Sequence, residues 1–258
     1  MSGLEAARRI METLPSPIVV VSGSHQPKDL EESFQALDSG VLAVAQMPNG
    51  IGRPYHEKTT QELIRTLKLM SKVKLVRRWT RSLHREAASA SPEIPDLPQL
   101  PGEIDIVAIG ASTGSPPVVK TVRASLPGSF PAPILVVQHM SEGFTGPFVD
   151  WLNQSSPLPV HVPKNGEQAL PGHVYVAPEA FHMSVKPMGR ISFSGDGAQE
   201  LKLMKDKGAT AIAQDEASSV IFGIPGEAIR LHAAAYVLSP AKIVAALAVL
   251  ANVKLGNG

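Results

Sequence analysis

Gly110-Ala111-Ser112-Thr113-Gly114 is a G-x-S-x-G pentapeptide set between an apolar run, IDIVAIG at 104–110, and a stretch that opens with Pro116 and Pro117. A strand that passes into a helix through so sharp a turn lifts the serine hydroxyl clear of a sheet, and small neighbours let a carbonyl approach. Backbone N–H groups at the start of the new helix, Thr113 first among them, can stabilise a developing oxyanion. The chemistry implied is nucleophilic attack on a carboxyl ester or amide. A plain glycine-rich turn or a phosphate cradle would also use such residues, but neither G-x-G-x-x-G nor the P-loop lysine signature is present.

A serine hydroxyl needs a base to take its proton. His139 ends a second apolar run, PILVVQH at 133–139, and the C-terminal edge of an open α/β sheet is where ligand-binding groups gather. A strand-capping structural histidine is the alternative role. A third group has to orient the imidazole and stabilise its cation. Asp196, in SGDGA at 194–198, is the best candidate, although pattern alone does not separate it from Asp150 and Asp215, and Asp-Gly also suits a simple turn. The histidines show no H-E-x-x-H or comparable spacing and the chain has no cysteine, so no metal site, thiolate nucleophile or disulfide is expected.

The elements that would position these groups alternate. In the C-terminal region, strands are expected at 104–110, 133–139, 173–178, 190–194 and 209–214, with a helix beginning at Pro116. A last helix is expected to be capped by Ser239, to carry Pro240 in its first turn, and to turn Ile243, Leu247 and Leu250 to the core. Such alternation indicates a doubly wound, mostly parallel sheet with helices on both faces. The N-terminal region offers helices at 3–13, 28–37 and 60–73, the last with Leu63, Leu67 and Met70 on one face, and strands at 17–22 and 41–46. Two strands are too few for an independent doubly wound domain.

Residues 86–103 hold Ala, Ser, Pro and acidic residues without apolar periodicity, which is linker composition. A basic stretch before it (Lys68, Lys72, Lys74, Arg77, Arg78, Arg81, Arg85) reads as a solvated helix rather than a docking surface. The division expected is 1–85, a linker at 86–103, and 104–258. With 43% hydrophobic and 18% charged residues the chain can bury a real core, and a formal charge of +1 argues against an obligate nucleic-acid binder. No apolar run approaches a membrane span and MSGLEAARRI is no signal peptide, so a cytoplasmic protein without membrane insertion is expected.

The segments IGASTGS (109–115), VVQHMSEGFT (136–145), NGEQALPGHVYVAP (165–178), FHM (181–183) and AQDEASSVIFGIPGEAI (213–229) resemble, in order, the protein-glutamate methylesterases that demethylate bacterial chemoreceptors and deamidate their glutamines. The resemblance implies a Ser–His–Asp triad without cofactor. Ser112 stands at the nucleophile, His139 at the base and Asp196, by its spacing to Gly208, at the acid. Methylated cytoplasmic helices of chemoreceptors are the implied partners. Members of that family usually carry several tens of residues between the strand like RISFS and this aspartate, including a helix, a central strand and a T-G-M-G turn. Here only Ser194 and Gly195 precede Asp196, so the catalytic region is shortened near 194–196. Ser115 replaces the usual second glycine of the nucleophile turn.

Residues 1–85 resemble the second half of a flavodoxin-like receiver domain, with VLAVAQMP in place of a stretch that usually ends in Lys-Pro. Met47 holds the lysine position and the phospho-acceptor carboxylates are expected to be absent, so no phosphorylation site is expected. Three functions are consistent with the sequence: a glutamate methylesterase and glutaminyl deamidase, a catalytically silent remnant that only binds receptors or partners, and a nucleotide-binding α/β module.

Overall fold

A computed structural model describes residues 2–24, 26–73, 104–154, 157–179, 181–194 and 209–255. Its first part runs α1 (Gly3–Thr13), β1 (Val19–Ser22), α2 (Pro27–Gln35), β2 (Ala43–Gln46) and α3 (His56–Met70). The second part runs β3 (Val107–Ala111), α4 (Pro116–Ala124), β4 (Ile134–Gln138), α5 (Thr145–Asn153), β5 (Val160–His161), β6 (Val174–Val176) and β7 (His182–Lys186). It ends with β8 (Arg190–Ser194), β9 (Ile212–Gln214), α6 (Ile224–Arg230), β10 (Tyr236–Leu238) and α7 (Pro240–Leu250). The linker expected at 86–103 and most of the basic stretch lie outside the described residues.

The apolar runs become parallel strands with one face packed into a shared core. Strands β3, β4, β6 and β5 form one parallel sheet in the order β3-β4-β6-β5. Val119 and Val122 of α4 and Val244 and Leu247 of α7 close one core with Val107, Ile134, Val136, Val174 and Val176. Each such side chain contributes roughly 1.5–3 kcal/mol on burial. Ser239 caps α7 by accepting from Lys242 N–H, and Pro240 opens the helix.

The sheet is not continuous. Strands β9 and β10 pair with each other as a separate parallel sheet, and among the described residues β3 pairs only with β4.

Two expectations are corrected. RISFS is a strand, but β8 pairs antiparallel with β7 and not within the parallel sheet. The hairpin turns through Pro187–Gly189, where Met188 and Gly189 take positive φ, a three-residue reversal that alternation alone does not reveal. Leu67 is 44% exposed, whereas Met70 at the end of α3 is 1% exposed and packs on Leu42 and Ala43. Helical spacing identifies a stripe but not how far along it the neighbour reaches.

The NGEQALPG segment fastens the hairpin to the sheet. Gly166 N–H donates to Ile191 C=O and Ile191 N–H to Glu167 C=O, both at 2.8 Å. The Glu167 carboxylate accepts from His161 Nε2 and from Lys164 N–H, each at 2.7 Å. The His161 hydrogen bond foremost, then that of Lys164, holds its pKa below the ordinary 4.5. A lowered folded-state pKa contributes stability above the unfolded value that is lost as pH falls through the folded one. Glu167→Gln is therefore expected to flatten the acid-side loss of thermal stability, read as melting temperature from about pH 5 to about pH 3. An unchanged acid slope would contradict this role.

Arg123 is 2% exposed, and its guanidinium donates to the carbonyls of Leu152 and Leu158, tying the end of α5 and the turn before β5 to α4. Burial lowers its pKa to about 10, which leaves it charged at neutral pH. Arg123→Met keeps much of the volume but deprives those carbonyls of this donor in an apolar setting. The expected cost is about 2–4 kcal/mol in chemical denaturation; a loss below about 0.5 kcal/mol would contradict it.

The N-terminal elements pack on the rest. Phe34 of α2 meets Phe144, Phe148 and Trp151 at ring-centroid distances of 6.1, 5.6 and 5.9 Å. Asp38 accepts from Lys120 Nζ at 2.8 Å and from Trp151 Nε1 at 3.1 Å, while Lys120 sits 4.3 Å from the centre of the Trp151 ring.

Candidate active site

Register brings the first two candidate residues to one place. In the β3–β4 ladder Gly110 pairs with Val137 and Ala111 with Gln138, and His139 N–H extends the ladder to Ala111 C=O at 3.0 Å. Ser112 and His139 therefore leave neighbouring strand ends at the C-terminal edge of the sheet. Ser112 is half-buried and His139 exposed.

The chain turns at once. Ser115 N–H donates to Ser112 C=O at 3.0 Å, closing a four-residue turn whose third position, Gly114, has φ +84°. That backbone region favours glycine. Space demands it too, since a Cβ at 114 would stand 2.9 Å from the Val220 Cβ. Ser115, in place of a glycine, accepts weakly from Ser112 N–H at 3.4 Å and begins α4. Thr113 N–H has no acceptor among the described residues and stays available to an incoming oxygen. Val220 and Ile221, on the loop after β9, also pack against Leu42, Ala43 and Met70, so the N-terminal elements support the loop that abuts the Ser112–Ser115 turn.

Around His139 the chain is held by two polar side chains. Gln138 is 7% exposed, and its Nε2 donates to Ser112 C=O at 2.8 Å and to His139 C=O at 3.2 Å. Glu179, just after β6, accepts from Thr145 N–H at 2.7 Å and so binds the first turn of α5, which follows the His139 loop. Sequence reasoning missed Gln138. Its one signal was a polar residue closing an otherwise apolar central strand.

Two of the three candidate aspartates fall within the described residues. Asp215 is engaged by its own turn, accepting from Ser218 N–H at 2.9 Å and from the Ser218 hydroxyl. Asp150 is exposed on α5. Asp196 lies outside the described residues. No described residue hydrogen-bonds the His139 ring or the Ser112 hydroxyl, and no three described His, Asp or Glu residues are grouped to hold a metal ion. None of the described helices is long and apolar enough to cross a membrane. Such a strand-end pair, beside an unpaired N–H, suits acyl transfer, with the oxyanion held by backbone and the proton passed by imidazole.

The profile of the CheB methylesterase family matches residues 107–195 and 192–247. The chain is 45% identical to a protein-glutamate methylesterase/protein-glutamine glutaminase of Nitrosospira multiformis over 283 residues, covering 96% of this chain and 79% of that one. It is 42% identical to another so named in Geobacter metallireducens, covering 98% of this chain and 83% of that one. The CheB methylesterase catalytic domain of Thermotoga maritima superposes with a TM-score of 0.53 at 32% identity, covering 58% of this chain and all of that one. The profile match breaks into two pieces at 192–195, and the 283-residue alignment is longer than the 258-residue chain. The relative thus carries residues within the matched region that this chain lacks, and the break falls where β8 ends.

Proposed function

Since the chain belongs to the CheB methylesterase family, we propose that it hydrolyses glutamate methyl esters on chemoreceptors, and deamidates receptor glutamines, with Ser112 as nucleophile, His139 as base and Asp196 as the acid that orients His139. The observation that carries this reading is the β3–β4 register, which delivers Ser112 and His139 from paired positions Ala111 and Gln138 at one sheet edge.

In the first step Ser112 Oγ attacks the side-chain carbonyl carbon while His139 takes its proton, and Thr113 N–H stabilises the oxyanion. Collapse expels methoxide, which leaves as methanol with the proton from His139; ammonia leaves when the substrate is glutamine. Water, deprotonated by His139, then attacks the Ser112 ester and releases the glutamate carboxylate. The substrate side chains belong to methylated cytoplasmic receptor helices. Residues 104–258 form the catalytic region in this reading, 86–103 a linker and 1–85 a partial receiver-like unit, in which Met47 stands where the phosphate-contacting lysine would be.

A second reading, a silent remnant that binds receptors without turnover, draws on the separation of β9–β10 from the main sheet. Methanol release from methylated receptor membranes distinguishes the two. Release that grows linearly with protein concentration is expected, and receptor binding without any release would establish the remnant.

A further inference from the structure

The buried Gln138 side chain bridges the two strand ends, and we propose that it is a positioning residue that fixes Ser112 and His139 relative to each other. This rests on the reading of Ser112 and His139 as nucleophile and base. One nitrogen serves both: Nε2 gives one hydrogen to Ser112 C=O at 2.8 Å and the other to His139 C=O at 3.2 Å. Both partners are carbonyl acceptors, so only the NH2 end of the amide fits there, and its orientation is settled by chemistry.

The opposite end of the amide gives the second observation. Gln138 Oε1 is buried with no donor among the described residues. A buried unsatisfied acceptor is destabilising. Methionine would fill the same volume without one, so space-filling alone does not account for a glutamine here. The ladder itself cannot do the clamping. Its last hydrogen bond, His139 N–H to Ala111 C=O at 3.0 Å, closes one residue short of Ser112, and beyond it the chains diverge, one into the Ser112–Ser115 turn and the other toward α5. Gln138 is the link across that divergence.

Two variants test it. Gln138→Met removes both donated hydrogen bonds, and Gln138→Glu keeps the shape but sets a carboxylate against two carbonyls. Methanol release by Gln138→Met is expected to fall about 10²-fold in kcat with KM within about twofold, the loss that a displacement of roughly 1 Å produces. Its melting temperature does not decide the matter, because the orphan oxygen goes with the amide while two carbonyls lose a donor. Gln138→Glu should regain part of its activity as pH is lowered and the carboxyl becomes a donor, a profile that a merely structural role would not give. Amide hydrogen exchange supplies a readout free of activity: the N–H groups of Ser115 and His139 should exchange at least tenfold faster in Gln138→Met, with Val176 in β6 unchanged. Should the parent chain release no methanol, the functional reading fails, and the exchange rates alone decide the clamp. Exchange at Ser115 and His139 equal to the parent's, or a kcat within threefold of it, would overturn the proposal.

Discussion

Inserting the segment that the relatives carry after β8, ahead of Asp196, is expected to raise methanol release by about 10²-fold or more and to sharpen thermal unfolding. Two effects would add in the restored chain. β8 pairs antiparallel with β7 outside the parallel sheet, so it supplies no strand beside β3. The described sheet accordingly stops at β3 on one side, and β9–β10 stand apart. A displacement of roughly 1 Å at a reacting group costs about 10²-fold. In the family this chain resembles, the lost T-G-M-G turn also looks like an oxyanion contributor, and one such donor is typically worth ~10²–10³. Restoration should join the two parallel sheets, cover exposed strand edges and reduce aggregation. Equal cooperativity of unfolding with turnover within threefold of the present chain would show the shorter connection to be harmless.

Much of the site could be read from the chain because its parts are local. The apolar run before Ser112, the small residues around it and Pro116 fix a strand, a turn and a helix start within ten residues, and the structure has β3, the Gly114 turn and α4 there. The β3–β4 register was less accessible, since it depends on two runs more than twenty residues apart. Gln138 escaped notice for the same reason: its partners are carbonyls, which carry no side-chain signature. The β7–β8 hairpin was hidden by composition. RISFS reads as one more strand of the alternating series, and the reversal shows in the positive φ values at Met188 and Gly189. Leu67 shares a face with Met70 yet is exposed, because spacing alone does not say which turns of a helix a neighbour covers.

Methanol release by Ser112→Ala, measured beside the parent on the same methylated receptor membranes, tests the central claim most directly. Alanine fits the turn without strain, since Ser112 lies outside the positive-φ position and its hydroxyl makes no hydrogen bond to a described residue. Folding and melting temperature should therefore be unchanged. The other described serine that ends a strand in register with a histidine, Ser194 opposite His182, belongs to the antiparallel β7–β8 hairpin and not to the strand-to-helix turn at Ser112. Turnover is expected to fall by about 10³-fold or more, as triad knockouts do. A variant that folds as the parent does and releases methanol at the parent's rate would contradict the assignment of Ser112, and with it the proposed mechanism.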